Sequence, residues 1–186
     1  MKRYLDVIVA SALFMIALPL MLFLLIVIPL ESHGSPLFSQ VRVGRGGKLF
    51  RMYKFRSMQK GDMPVGLDLI ELKQYDRGRV TRIGKIIRIG LDELPQLVHI
   101  IVGQMSLVGP RPLPPSQVMC GTYSPERDFL RPGLTGLAVI SLRHTRVNHL
   151  QKMVAIDNIY ARRRTLCLDL WIISRTPRAL ITRKHN

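Results

Sequence analysis

Hydrophobic positions are spread very unevenly along this chain. From Val7 to Leu30 the only polar side chain is Ser11. As a helix this run is about 36 Å long at about 1.5 Å per residue, enough for a hydrocarbon core of about 30 Å. After the polar break Glu31-Ser-His-Gly34 the period changes. Leu37 to Val43 and Leu49 to Phe55 are strand-like and joined by Gly44-Arg-Gly-Gly47, which predicts a hairpin. Met58 to Tyr75 is polar and aperiodic and reads as a loop. A short helix is expected around Arg82 to Arg88, and another from Glu93 to Val102. A rigid loop follows over Pro110 to Pro115, then a turn at Arg131-Pro-Gly-Leu-Thr-Gly136 leading into a short strand at Leu137 to Ile140. Val147 to Arg164 and Leu166 to Leu180 have helical periodicity. The expected fold class is α+β, mainly helical with a small β-hairpin or sheet. Residues 1–30 form a membrane helix and residues 31–186 a domain facing the cytoplasm.

Pro19 lies in the middle of the apolar run, where it removes the hydrogen bond to the Met15 carbonyl, a defect of about 3 kcal/mol in a helix interior. Both flanks are basic, with Lys2 and Arg3 before the run and Arg42, Arg45 and Lys48 after it, which places both ends on the cytoplasmic side. A re-entrant helix kinked at Pro19 satisfies both facts; a spanning helix that tolerates its proline is the alternative. A cleaved signal peptide fits poorly, because the run is long and Pro-Leu-Glu-Ser replaces a small-residue cleavage pattern. The last helix sets Leu166, Leu170, Trp171 and Ile173 among Arg162 to Arg164, Arg175, Arg178, Arg183 and Lys184. That pattern suits a helix lying in a membrane interface, and equally one packed on the domain with solvated arginines.

The formal net charge of +16 and a pI of about 10.9 imply an anionic partner: nucleic acid, anionic lipid or a phosphate-rich small molecule. Cys120 and Cys167 lack CxxC spacing, and the five histidines are scattered, so neither a disulfide framework nor a zinc site is expected. Gly44-Arg-Gly-Gly47-Lys48 fails the Walker pattern, since no Ser or Thr follows the lysine.

The chemistry concentrates in Leu91-Asp-Glu-Leu-Pro-Gln-Leu97 and Met105-Ser-Leu-Val-Gly-Pro-Arg-Pro112. Pro95 suits a first helical turn, which puts Asp92 and Glu93 at or just before a helix N-terminus, where the macrodipole favours ionised carboxylate. Ordinary capping asks for the same placement. Arg111, between two prolines, is a held fork suited to phosphate. Lys54 and Arg56 alternate on the second strand and so share a face, as a phosphate site or as a solvated edge. Arg88, Arg131 and Arg143 add cations near turns.

Those two segments, with Lys54-Phe-Arg-Ser-Met58, Thr81-Arg-Ile-Gly84 and Arg131-Pro-Gly-Leu-Thr-Gly136, occur in the order of the bacterial sugar transferase family, the monotopic phosphoglycosyl transferases. The chain resembles that family over nearly its whole length, with weaker similarity at Lys2-Arg3, Asp6 and Pro19 and at Asp157, Tyr160 and Asp169. The resemblance implies transfer of a sugar-1-phosphate from a nucleoside-diphosphate sugar, with UDP expected, to a polyprenyl phosphate at the bacterial inner membrane. Asp92 would be the nucleophile that carries the phosphosugar. Glu93 would activate or position the acceptor, and Mg²⁺ would sit by Asp92. Lys54, Arg56, Arg88, Arg111 and Arg143 would bind substrate. Several positions depart from the family pattern. Leu18-Pro19 stands for Ser-Pro, Gln104 for an aspartate, and Gly136-Leu-Ala-Val-Ile-Ser-Leu-Arg-His144 for Gly-Leu-Ala-Gln-Val-Asn-Gly-Arg-Asn.

Two other readings stay open: a membrane-tethered basic module that binds lipid or nucleic acid without chemistry, and an inactive relative. No aromatic interleaving for base stacking is present, so nucleic acid is not the expected partner. A homodimer is left open.

Overall fold

The computed structural model describes residues 1–59, 78–118, 124–142 and 149–182. The expected loop therefore lies outside the described residues from 60 to 77, and so does Arg143. The fold is mixed α and β, with small two-stranded sheets and one long apolar N-terminal helix.

Helix α1 spans Lys2–Glu31 and encloses both Pro19 and Pro29. It does not end at Pro19, as a broken helix would. Asp6, Ala10, Met21, Leu24 and Ile28 are buried along one side, with Phe14 and Ala17 packed between them. From Ala10 onward these positions alternate four and three apart, the spacing of a narrow helical seam. The seam continues on both sides of Pro19, so packing holds both halves of the helix against the domain across the missing hydrogen bond. On the opposite face Ile8, Ile16, Leu22, Phe23, Ile26 and Leu30 are exposed, and the helix is long and apolar enough to cross a membrane.

Both ends of α1 are fastened to the domain. At the start Arg3 donates to the Ile100 and Ile101 carbonyls at 2.5 and 2.9 Å, and Lys2 pairs with Asp169 at 2.5 Å. At the far end Glu31 accepts the Arg82 and Ile83 amides at 2.5 and 3.0 Å, capping helix α2, Arg82–Ile87. Arg56 donates to the Ser32 and His33 carbonyls just past the last turn.

Strands β1, Leu37–Val43, and β2, Leu49–Phe55, pair antiparallel with Leu37 opposite Phe55 and Val43 opposite Leu49, the hairpin read from the sequence. Phe50 and Met52 point inward to a core with Ala10, Leu97, Ile100, Met105 and Ile172. Helix α3 is Gln96–Ile101, shorter than expected, because Leu91–Glu93 forms a separate 3-10 turn before it. Gly90, at φ 122°, makes the reversal into that turn, a conformation L side chains rarely adopt.

The other sheet corrects the sequence reading. Strand β3, Ser106–Val108, runs parallel to β4, Gly133–Thr135, whereas Leu137–Ser141 is a helix and not the expected strand. A Cβ on Gly133 would lie 2.1 Å from the Gly109 amide nitrogen, so the Gly-Pro-Arg-Pro and Arg-Pro-Gly segments touch backbone to backbone. A four-residue helix α4, Pro125–Asp128, precedes β4, and Leu137–Ser141 is α5. Helices α6, His149–Arg163, and α7, Leu166–Thr182, close the domain. On α7, Ile172 and Ala179 are buried while Leu166, Leu170, Trp171 and Ile173 are exposed, with the Arg175 guanidinium 5.6 Å from the Trp171 ring centre.

Candidate active site

The acid pair is seated on the long apolar helix α1. Leu91 and Leu94, which bracket it, pack against the cluster of Met21, Leu24 and Ile28 from α1 with Phe55 and Ile87. Asp92 and Glu93 are thus half-buried beside the C-terminal half of α1.

The two carboxylates have different surroundings. Lys54 reaches Glu93 at 2.5 Å, both side chains about a quarter exposed. Asp92 makes no ion pair and no hydrogen bond with any other described residue; its local partner is its own backbone amide. The other described acids are all engaged. Asp6 accepts from Ser106, Glu31 caps α2, Glu126 pairs with Arg162, Asp128 and Asp157 with Arg127, and Asp169 with Lys2 and Tyr160. Burial, and then the like charge of Glu93, push the Asp92 carboxyl above its ordinary range, against the pull of Lys54 and Arg88. The pair occupies a 3-10 turn ahead of α3, where desolvation is the largest influence on Asp92.

Of the cations expected here, Lys54 and Arg88 lie by the acids, and Arg88 donates to Ser57 Oγ at 3.0 Å. Arg56 does not join them. It is buried past the end of β2 with its guanidinium on the carbonyls that follow α1. Pro19 is on the exposed face of α1.

Arg42 was counted in the sequence only as flanking charge, yet it links the acids to the proline loop. Hairpin register puts it opposite Phe50, on the face shared with Met52 and Lys54. It donates to the Pro112 carbonyl at 2.9 Å, and its buried Nε has no partner. Its pKa is lowered by burial and by Arg111, and raised by Glu93, so it feels the charge of both residues. The register that reveals this was available once the Gly44–Gly47 turn was placed.

Arg111 is held by its backbone. Its amide donates to Asp157 at 3.2 Å, and its carbonyl accepts from Arg127, which also reaches Asp157 at 3.2 Å and Asp128 at 2.5 Å. Arg127, Asp128 and Asp157 are all buried. Sequence reading missed Arg127 and Asp128, which resemble any surface pair in a polar stretch.

His99 ties α3 to β2. Its Nε2 accepts the Tyr53 amide at 3.2 Å, and its Nδ1 is 2.6 Å from Gln104 Oε1, so a neutral ring with the proton on Nδ1 satisfies both contacts. Gln104, where the family pattern has an aspartate, fills this structural role through its amide oxygen.

Half-buried carboxylates with Lys54 and Arg88 beside them, next to a long apolar helix, make up the candidate site. The chain matches the bacterial sugar transferase family model over residues 1–183, and it belongs to that family. It is 41% identical to the UDP-glucose:undecaprenyl-phosphate glucose-1-phosphate transferase of Caulobacter vibrioides, across 97% of this chain and 70% of that protein. It is 35% identical to the UDP-N-acetylgalactosamine-undecaprenyl-phosphate N-acetylgalactosaminephosphotransferase of Aeromonas hydrophila, across 97% of this chain and 44% of that protein. The exopolysaccharide production protein ExoY of Rhizobium meliloti is 36% identical, across 94% of this chain and 83% of that protein. The chain thus spans most of some relatives and less than half of others.

The buried network predicts a pH effect on stability. Asp128 already answers the charge of Arg127, and Asp157 Oδ1 has no partner, so burial dominates and pushes the Asp157 carboxyl up to about 6. The folded state then binds this proton more tightly than the unfolded chain, and the stability contribution falls as pH rises from about 4 to 6. Thermal unfolding in detergent should show a slope of that sign which Asp157→Asn removes; an unchanged slope in the variant assigns it elsewhere.

Proposed function

We propose that this protein transfers a sugar-1-phosphate from a UDP-sugar to undecaprenyl phosphate through a covalent intermediate on Asp92. The single observation that carries this reading is that Asp92, alone among the described acids, is left without a partner residue. An Asp92 carboxylate oxygen attacks the sugar-bearing phosphorus, the bond from that phosphorus to the bridging oxygen breaks, and UMP leaves. A phosphate oxygen of the lipid then attacks the same phosphorus, and the Asp92 carboxylate departs. One phosphoanhydride replaces another, so the site's main tasks are positioning and charge neutralisation. Arg42 and Arg111, set by the Pro112 contact and the Asp157–Arg127 clamp, supply fixed cations for the phosphates, and Arg88 adds a third near Asp92. Glu93, kept by Lys54, positions the acceptor.

The donor set suits Mg²⁺, which binds through one or two carboxylates and completes its shell with substrate phosphates and water. Among the described residues no three His, Cys, Asp or Glu gather into a closed metal site. Asp92, unpaired and crowded by the charge of Glu93, is the residue that would hold the ion. When bound, Mg²⁺ would neutralise charge developing on the phosphates.

The tether at each end of α1 supports a helix that dips into one leaflet of the bacterial inner membrane with both ends on the cytoplasmic side. The exposed apolar face of α7 supports an interfacial position for that helix. A lipid that stays in the bilayer then meets Asp92 beside α1.

Asp92→Asn should abolish UMP release from the UDP-sugar in the absence of lipid, whereas wild type gives one stoichiometric burst; turnover unchanged in the variant would remove Asp92 from the chemistry. The UMP-release rate should fall as pH drops through the raised Asp92 pKa. Glu93→Gln removes one cause of that elevation and frees Lys54, so the acidic limb of the normalised profile should move to lower pH. A limb that stays in place or moves up contradicts this account. Single cysteines at positions 2 and 48 should be labelled from the same side of sealed vesicles, and labelling from opposite sides means a spanning helix.

A further inference from the structure

We propose that a cavity at the N-terminal end of α1 binds the phosphodiester headgroup of an anionic phospholipid, at a site separate from Asp92. The cavity, about 200 Å³, lies among the first turn of α1, the hairpin tip, the segment before β4 and the link between α6 and α7. Lys2, Arg3, Arg45, Arg131 and Arg164 line it against one carboxylate, Asp6. That volume admits a phosphate group with ordered water, each water taking about 30 Å³.

The charge in this cavity is held in place without being cancelled. Asp6 accepts the Ser106 hydroxyl at 2.6 Å, and Lys2 lies between Asp6, at 3.8 Å, and Asp169, at 2.5 Å. Arg3 and Arg131 donate to the carbonyls of Ile100, Ile101 and Gly103 at the C-terminal end of α3, which fix their direction but carry only partial charge. Arg45 donates to the Phe129 carbonyl at 3.0 Å, its guanidinium 5.0 Å from the ring centre. Arg164 forms no hydrogen bond or ion pair with any described residue. The mutual repulsion registers on Arg131, whose pKa is lowered by burial and then by Arg3 and Arg45. An anion with several acceptor oxygens relieves that crowding.

Apolar surface beside the cations selects a lipid over free phosphate. Exposed Tyr4 and Leu5 follow Lys2 and Arg3, exposed Leu166 follows Arg164, and Phe129, 65% exposed, lines the cavity itself. A headgroup in the cavity leaves its acyl chains against these side chains. The site is at the opposite end of α3 from the acid pair: Arg3 and Arg131 grip the carbonyls at its C-terminus, while Asp92 and Glu93 precede its N-terminus. Occupancy would pin the start of α1 at headgroup depth.

The test is thermal unfolding of the full chain in neutral detergent, titrated with short-chain phosphatidylglycerol, short-chain phosphatidylcholine or inorganic phosphate. Phosphatidylglycerol should raise the midpoint saturably, with the other two producing little shift. The double variant R45Q/R164Q alters two exposed side chains and should weaken the response at least tenfold. R51Q/K85Q, which removes equal charge outside the cavity, should leave it intact. Equal responses to both lipids, an equal response to inorganic phosphate, an unchanged response in R45Q/R164Q, or equal weakening in R51Q/K85Q would each overturn the proposal.

Discussion

Fastening both ends of one apolar helix to a single polar domain is the constraint on which the rest of this structure depends. Lys2 and Arg3 hold the first turn to Asp169 and to the end of α3, while Glu31 and Arg56 hold the last turn to α2 and β2. These charge-assisted contacts are among the stronger polar bonds available to a protein. Between them a seam of small and aliphatic side chains lies on the core and leaves a broad apolar face exposed. Burying apolar area is favourable by roughly 25 cal/mol per Å², and this helix is long and apolar enough to cross a membrane. Because Leu91 and Leu94 share that seam, the apolar helix and the acid pair form one packed unit.

The same unit gives two neighbouring carboxylates different surroundings. Glu93 is paired with Lys54, whereas Asp92 is partly desolvated, repelled by Glu93 and without an ion pair to any described residue. Two acids with environments that differ in this way are a recurrent basis for dividing catalytic work. Anions are scarce here, with 12 acidic residues against 28 basic ones, so an acid left unsatisfied amid abundant cations needs an explanation beyond stability.

What the sequence revealed follows from how local each feature is. The hairpin was legible to the residue, because alternation and a glycine turn are local signals. Leu137–Ser141 misled because a short apolar run with β-branched residues fits a strand or a buried helix turn equally well. The actual strand, Gly133–Thr135, is dictated by the close approach of Gly133 to Gly109, a contact between distant segments. Lys54 and Arg56 were expected to act together, but the strand ends between them and only Lys54 reaches the acids. The acid pair itself was legible as a motif, while its unequal pairing depended on a lysine from another element.

Arg111 illustrates the same limit. Its flanking prolines fix their own φ and bias Arg111, which precedes Pro112, to extended backbone, but they cannot aim the loop. Aim comes from Asp157 on α6 and Arg127 on α4, which hold both the amide and the carbonyl of Arg111, and from Arg42 on β1, which holds the Pro112 carbonyl. A backbone segment held by three separate elements presents its side chain from a fixed base, and charge that needs little reorganisation is the kind best suited to electrostatic stabilisation. The buried Arg127–Asp157 contact is therefore best understood through orientation: ion pairs taken out of water contribute little net stability, and retaining this one makes sense for the loop it aims.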